Sequence, residues 1–101
     1  MTGLTSRQRG HLRSAAHALA PAVLVGRAGA TDAVVREVDD ALAARELIKI
    51  RLAGDRDERR RTAAAIAERT GSELAGTIGR IAILYRQSAD PARRRIALPP
   101  A

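Results

Sequence analysis

The segment of residues 23–32 constrains the fold more than any other part of the chain. It opens with an apolar, β-branched run at residues 23–25, which is typical of a strand. Gly26 and Gly29 follow, three positions apart, and Thr31 and Asp32 are residues that favour the start of a helix. The segment therefore predicts a strand, a glycine-bounded loop and a helix N-terminus, an arrangement in which the backbone can approach a phosphate closely.

Length and composition limit the rest of the fold. The chain has 101 residues, which predicts one domain over residues 1–99 with a basic tail over residues 87–101. Hydrophobic residues make up 46% of the chain, but there is one Tyr and no Phe, Trp or Cys. We therefore expect an aliphatic core, and stacking of bases on aromatic side chains is excluded as the main binding mode. The lack of Cys excludes disulfides, thiolate metal sites and cysteine nucleophiles.

The charge balance indicates a polyanionic partner. The formal net charge is +7, and Lys49 is the only lysine among the cations. Clustered cations attract phosphates and release counterions on binding, whereas a basic surface without a partner is the alternative interpretation. No apolar run approaches the roughly 20 residues of a membrane span, and the N-terminus lacks a signal pattern, so we expect a cytoplasmic protein without a membrane partner.

Hydrophobic periodicity predicts seven regular elements. Helices are predicted over residues 5–18, 31–44 and 55–70, and strands over residues 22–25, 47–52, 73–78 and 80–86. Asp55 and Glu58 have the spacing of a capping box, and Gly71 suits the end of the third helix. The order α-β-α-β-α-β-β predicts an α/β domain with a mixed four-stranded sheet, largely parallel with an antiparallel final hairpin.

The same patterns predict how the strands and the tail are exposed. The first strand is apolar on successive positions, so we expect it to be buried on both sides or central in the sheet. In the second strand, Ile48, Ile50 and Leu52 face the core. Leu47, Lys49 and Arg51 face the other way, on a side that carries cations and is open to solvent or ligand. We expect Tyr85 at the edge of the core.

The prolines and arginines after residue 87 argue against a regular element, and the tail is either an arm that orders on binding or a disordered end.

The sequence contains no recognisable catalytic or metal-binding motif. His11 and His17 are six positions apart, which does not place them on one face of a helix. Asp39 and Asp40 are adjacent and point about 100° apart on a helix, so we interpret them as a solvated acidic face. The glycines lack the Lys-Ser/Thr of a P-loop and the third glycine of a dinucleotide fingerprint. We therefore predict no enzyme activity, metal, cofactor or small-molecule substrate.

Three consecutive arginines, residues 59–61, fall in the first turns of the predicted third helix, where the helix dipole disfavours cations. Asp55, Asp57 and Glu58 are close enough along the chain to offset that charge. We interpret this segment as a locally balanced surface rather than a binding patch.

The Gly26–Gly29 loop is the main candidate for binding. A Gly-x-x-Gly spacing alone is better explained by an ordinary tight strand-to-helix turn. Here Arg27 lies between the glycines, a helix start follows, and the surrounding chain is basic. The glycines would expose backbone N–H groups, and Arg27 would add a charged donor for phosphate oxygens. KH domains clamp a nucleic-acid backbone with such a loop.

Short motifs spread over most of the chain carry a family resemblance. They are Leu12-Arg13, Ala16-His17, Leu19, Pro21, Val25-Gly26-Arg27-Ala28-Gly29, Thr31, Glu46-Leu47-Ile48-Lys49-Ile50, Thr70-Gly71, Ile78-Gly79-Arg80, Leu84-Tyr85-Arg86 and Arg94-Arg95-Ile96-Ala97-Leu98-Pro99. From about Leu4 to Pro99 the chain resembles the YhbY-like proteins, small stand-alone bacterial members of the CRM-domain family (chloroplast RNA splicing and ribosome maturation). The family loop is usually Gly-Lys-x-Gly followed by Leu-Thr. Arg27 takes the lysine place here, and Ala30 takes the leucine place.

The resemblance implies a fold similar to the C-terminal domain of a bacterial translation initiation factor, with a KH-like loop. It implies an RNA-binding protein that associates with precursors of the large ribosomal subunit and assists their assembly; we expect a monomer. Contacts with RNA are expected at Gly26, Arg27, Ala28, Gly29 and Thr31, and from a broader cationic surface of Arg9, Arg13, Lys49, Arg51, Arg80 and Arg86. The alternative is a protein-interaction adaptor in ribosome assembly, recruited by charge without loop contact with RNA.

Overall fold

The computed structural model describes residues 3–100. Met1 and Thr2, where the predicted N-terminal segment begins, and Ala101, the last residue of the predicted tail, lie outside the described residues. The elements are α1 (Ser6–Ala16), β1 (Pro21–Val25), α2 (Asp32–Arg45), β2 (Leu47–Leu52), α3 (Arg56–Thr70), β3 (Glu73–Ile78), β4 (Ile81–Tyr85) and a 3₁₀ turn (Pro91–Arg93). The predicted α/β fold with three helices and a four-stranded mixed sheet is confirmed, although α1 ends two residues earlier than predicted.

The strand order is β1-β2-β4-β3, and only one of its three pairings is parallel. Strands β1 and β2 pair parallel, whereas β4 is antiparallel to both β2 and β3. The expectation of a largely parallel sheet was therefore wrong. The helical crossovers do give β1, β2 and β3 the same direction. However, the tight turn after β3 folds β4 back between β3 and β2. Strands β2 and β3 are therefore not neighbours, and each of them pairs antiparallel with β4.

Strand β1 is an edge strand, not a central one. Val23 and Val25 are buried, but Leu24 between them is 72% exposed. The prediction that this strand is buried on both sides was therefore wrong. A run of four apolar residues does not distinguish a central strand from an edge strand with one open face, because both can be continuously hydrophobic.

The larger core cluster lies between the sheet and the two helices α2 and α3. Its buried members include Val23 and Val25 of β1, Ile48, Ile50 and Leu52 of β2, Val38 and Leu42 of α2, Ala63 and Ile66 of α3, and Ala82 and Leu84 of β4. The predicted core face of β2 is thus confirmed. Full burial of each large aliphatic side chain contributes about 1.5 to 3 kcal/mol.

A second, smaller cluster lies on the opposite face of the sheet, beneath α1. It contains Leu12, Ala16, Leu47, Ala75, Ile83 and Tyr85. The expectation that this face is open was therefore only partly right, because Leu47 is buried while Arg51 remains exposed. Helix α1 covers the half of the face that includes Leu47. The other half, next to the C-terminal end of β2, is left uncovered.

Each helix begins at a side-chain cap. Thr5 and Gln8 form a capping box at α1, and Asp55 and Glu58 form the predicted one at α3. Thr31 caps α2, since its hydroxyl oxygen accepts a hydrogen bond from the Val34 amide at 3.2 Å. These bonds satisfy amides that the helix itself leaves unpaired. The loop that precedes Thr31 is therefore fixed at its C-terminal end.

The described part of the tail, residues 87–100, packs against the domain. The Glu46 carboxylate accepts hydrogen bonds from the amides of Ser88, Arg95 and Ile96, and Ile96 packs against the second cluster. The side-chain amide of Gln8 donates a hydrogen bond to the Pro99 carbonyl at 3.0 Å. The prediction of no regular element holds except for the short 3₁₀ turn. These contacts match neither of the two alternatives, an arm that orders only on binding and a disordered end.

Candidate nucleic-acid interface

The Gly26–Gly29 loop is a tight turn with its backbone exposed. The Gly29 amide donates to the Gly26 carbonyl at 3.0 Å, which closes the turn. Gly29 has φ of 74°, a left-handed conformation that disfavours side chains, whereas a Cβ on Gly26 would meet nothing within 4 Å. Arg27 and Ala28 are exposed, and their amides donate no hydrogen bond within residues 3–100. These two amides and the Arg27 guanidinium are available to an anion.

Helix α3 holds this loop from behind. A Cβ built on Gly29 would lie 3.7 Å from the Thr62 hydroxyl oxygen. The Arg69 guanidinium donates to the Ala30 carbonyl and to the Asp32 carboxylate, each at 2.6 Å. Its hydrogen bond and charge lower the pKa of Asp32 from its ordinary value. The loop is thus fixed by residues more than 30 positions away, and Asp32 is paired rather than opposing an incoming anion.

Two of the predicted cations lie at the same end of the sheet as the loop. The Ala53 amide donates to the Val25 carbonyl, and the Leu52 amide donates to the Arg80 carbonyl. These bonds bring the ends of β1, β2 and the β3–β4 turn together. Arg51 and Arg80 are both exposed there. Because Arg51 pairs with Leu24 on one side and with Ile81 on the other, it stands on the uncovered half of the sheet face.

Two of the other predicted cations make contacts elsewhere in the domain. The Arg13 guanidinium donates to the Ala75 carbonyl at 3.4 Å, and its side chain lies over Gly76. Lys49 donates to the His17 carbonyl at the end of α1, at 3.1 Å. Arg9 belongs to α1 as well. The predicted cationic residues are therefore divided between separate parts of the molecule.

Arg86 lies at the far end of the sheet, where it ties β4 to two helices. Its guanidinium pairs with the Asp39 carboxylate and donates to the Thr70 carbonyl at 2.8 Å. Asp39, interpreted from the sequence as part of a solvated acidic face, is therefore an ion-pair partner. These contacts give Arg86 a structural role away from the loop.

Sequence reasoning missed the residues that support the loop. Arg69 contacts the loop from α3 and Thr62 lies beside Gly29, and no short motif connects either residue to the loop. Helical periodicity places Thr62 on one flank of the helix, but only the tertiary packing of α3 beside α2 brings that flank to Gly29. A hydrogen bond between residues so distant in sequence leaves no local signal.

Other kinds of site find no support in the described part of the chain. Within residues 3–100, no three His, Cys, Asp or Glu side chains gather where they could hold a metal ion. No helix formed by these residues is both long enough and apolar enough to cross a membrane. The loop and the arginines around it remain the main candidate interface.

Comparison with known proteins finds relatives that are named as RNA-binding proteins. An RNA-binding protein of Haemophilus influenzae is 40% identical over 89 residues, covering 87% of this chain and 90% of the relative. A Bacillus subtilis relative, named as a probable RNA-binding protein YqeI, is 37% identical over 97 residues, covering 95% and 99% of the two chains. These names describe the relatives as RNA-binding proteins and not as enzymes.

A solved structure and a family model also match the chain. The solution structure of the Staphylococcus aureus protein SAV1595, described as a candidate RNA-binding protein, superposes with a TM-score of 0.83 at 35% identity. The match covers 95% of this chain and 99% of that one. The sequence model of the CRS1 / YhbY (CRM) domain matches residues 4–86. The chain therefore belongs to the CRS1/YhbY (CRM) domain family.

Proposed function

We propose that this protein binds RNA through the Gly26–Gly29 loop and the exposed arginines beside it. The observation that carries the proposal is the pair of unbonded amides at Arg27 and Ala28, presented next to the Arg27 guanidinium. Backbone amides and guanidinium groups are donors that suit phosphate oxygens. Arg51 and Arg80 extend the cationic surface at the same end of the sheet. Recognition is then mainly of the RNA backbone and its shape.

The biological target that we propose is the precursor of the large ribosomal subunit, where the protein assists assembly. This part of the proposal rests on the family resemblance and on the names of the relatives as RNA-binding proteins. Co-sedimentation of the tagged protein with ribosomal particles on a gradient, followed by mapping of the crosslinked RNA, tests it. Crosslinks in large-subunit RNA support the proposal, and sedimentation only at the top of the gradient contradicts it.

A protein-interaction adaptor is the second candidate, and one observation favours it. Leu24 and Ile78 are 72% and 64% exposed, and strand pairing places them in one row across the sheet with Arg51 and Ile81 between them. Protein partners commonly cover exposed apolar side chains that lie together on one face. In this alternative the basic charge recruits the protein to the ribosome, and the exposed side chains dock on a protein. Crosslinking in cells separates the two candidates, because the adaptor would give protein crosslinks without RNA crosslinks at the loop.

A charge reversal in the loop tests the RNA-binding proposal directly. Arg27→Glu places a carboxylate beside the free amides, and we expect RNA affinity to fall by about tenfold or more. Fluorescence anisotropy with fragments of ribosomal RNA measures the change. Arg27 is exposed and makes no hydrogen bond or ion pair within the described residues, so the fold should be preserved.

Arg93→Glu is the matched control, because it makes the same change of charge in the 3₁₀ turn. Arg93 lies near Ala43 and Ala44 at the C-terminal end of α2, whereas the loop precedes the N-terminal end of that helix. Equal losses of affinity in the two variants would show that the loop has no special role.

A further inference from the structure

A cleft opens beside α3, at the same end of the molecule as the loop but on the other flank of the helix. Its volume is about 300 Å³, at the lower end of the range for pockets that hold small ligands. Its lining residues are Leu52, Arg56, Arg59, Arg60, Thr77, Gly79 and Ile81. We call this the arginine cleft. It combines the buried Leu52 with three guanidinium side chains.

Helical geometry separates the arginines of α3 into two groups. Residues of an α-helix advance by about 100° each, so Arg56 and Arg60 lie one turn apart on one flank. Thr62, which lies beside Gly29, is on the opposite flank. Arg61 points outward and does not line the cleft. The three consecutive arginines interpreted from the sequence as one balanced surface are therefore divided by their direction.

The acidic residues nearby do not line the cleft. Asp55 and Glu58 are held by the helix cap, in which each carboxylate accepts the other residue's amide. Asp57 is exposed on the first turn of α3, outside the cleft lining. Arg59 is fixed by a hydrogen bond from its guanidinium to the Gly54 carbonyl at 2.6 Å. The cleft thus keeps a local excess of positive charge, with one guanidinium already oriented.

Among residues 3–100, no Phe, Tyr or Trp ring is exposed for a base to stack on, and the two histidines lie in α1 and at its end, outside the cleft lining. Tyr85, the single residue of those three types, is buried in the second core cluster with 4% exposure. Proteins that bind unpaired RNA otherwise stack bases on guanidinium planes. The arginine cleft provides such planes above an apolar residue, and Gly79 at its rim has open space where a Cβ would lie.

We propose that the arginine cleft holds one unstacked nucleotide of a single-stranded RNA segment, with its phosphate on the guanidinium groups. This inference rests on the proposed RNA-binding function and adds a preference for single strands over duplexes. The loop and the cleft flank the N-terminal half of α3, so one RNA segment that crosses this helix can contact both. A base in a duplex cannot leave its stack without a cost, so a duplex would contact only the loop.

The test compares single-stranded and double-stranded RNA. In the variant Arg56→Ala/Arg60→Ala, we expect affinity for an oligouridylate of about twelve nucleotides to fall by about tenfold or more. Affinity for a duplex RNA of equal length should fall no more than in a charge-matched control. Fluorescence anisotropy at low ionic strength measures both. The control is Arg61→Ala/Arg93→Ala, which loses two arginines outside the cleft.

A third variant, Arg56→Lys/Arg60→Lys, separates guanidinium geometry from charge. Lysine keeps the charge but cannot stack or form a two-pronged hydrogen bond, so single-strand affinity should stay low. Recovery of wild-type affinity with lysine would overturn the proposal, since only charge would then matter. Equal losses in the cleft variant and in the Arg61/Arg93 control would overturn it too.

The two proposals fail in different ways. If the wild-type protein binds neither RNA at low ionic strength, the proposed function fails and the cleft inference fails with it. If Arg27→Glu weakens binding but the cleft variant behaves like its control, the loop proposal stands and the cleft inference alone is overturned. All the substituted arginines are exposed, whereas Arg59 is half-buried and is left intact. Thermal unfolding of each variant checks that it folds.

Discussion

Glu46 combines a positive φ of 65° with a carboxylate that is only 1% exposed. An unpaired buried carboxylate would be strongly unfavourable, and this one is satisfied by three backbone amides of the tail. Its own carbonyl accepts a hydrogen bond from the Arg86 amide at 2.9 Å. This single residue therefore connects the end of α2 with β4 and the tail.

The pH dependence of stability should depend on this carboxylate. Burial raises the pKa of Glu46, but the three hydrogen bonds outweigh burial and leave the pKa below its ordinary value of 4.5. Since the folded-state pKa is the lower one, the stabilisation is complete above pH 4.5 and is lost as pH falls through the folded-state pKa. Glu46→Gln should lower the free energy of unfolding at neutral pH by about 1 to 3 kcal/mol.

Urea unfolding at a series of pH values measures both effects. Glu46→Gln should also weaken the acid dependence, because the variant has no carboxylate to protonate at this position. Glu37→Gln on the exposed face of α2 is the control, and it should keep the wild-type profile. An unchanged acid dependence in Glu46→Gln would exclude Glu46 as a source of the acid sensitivity.

At the scale of elements, the two glycines of the loop should respond differently to substitution. Gly29→Ala places a Cβ at φ of 74°, so we expect a loss of about 1 kcal/mol in stability. Gly26 has no positive φ and its Cβ position is open, so Gly26→Ala should keep wild-type stability. If RNA approaches the backbone at Gly26, that variant still loses RNA affinity.

Thermal unfolding and RNA titration of the same two variants distinguish a folding role from a binding role. Wild-type RNA affinity in Gly26→Ala would show that no phosphate lies against this part of the backbone. Equal melting temperatures for the two variants would show that Gly29 carries no conformational strain on substitution.

The elements that could be predicted from the sequence were those with local causes. The Asp55 and Glu58 capping box, the Thr31 cap and the alternating faces of β2 follow from residue spacing alone. Strand pairing did not follow, because the position of β4 between β2 and β3 depends on how the final hairpin packs. The edge position of β1 was missed for the same reason. An apolar residue such as Leu24 is predicted to be buried unless the positions of the neighbouring strands are known.

The same distinction between local and tertiary causes applies to the candidate site. The Gly26–Gly29 loop was identifiable because its chemistry is contiguous in sequence. The support from Arg69 and the arginine cleft beside α3 were not, because both are formed by elements that meet only in the folded domain. Arg86 is the opposite case, since a cation predicted for the binding surface pairs with Asp39 at the far end of the sheet from the loop.

For the whole molecule, the net charge of +7 does not describe the distribution of cations around the loop. Arg13, Lys49 and Arg86 donate hydrogen bonds within the domain, and Lys49 and Arg86 lie away from the loop end. Arg27, Arg51 and Arg80 are exposed around the loop. The dependence of affinity on salt should therefore report the few cations at that end and not the total charge.

Salt dependence can be assigned to individual arginines by comparing two variants with the same loss of charge. Each phosphate contact contributes about 0.7 to 0.9 to the slope of log affinity against log salt concentration. We expect Arg80→Ala to reduce that slope by about one contact, because Arg80 is exposed at the loop end. Arg93→Ala should leave the slope unchanged, since the exposed Arg93 lies near Ala43 and Ala44 at the C-terminal end of α2, away from the loop. Equal reductions would mean that RNA responds to the charge of the domain as a whole, and the assignment of binding to one end of the sheet would then be wrong.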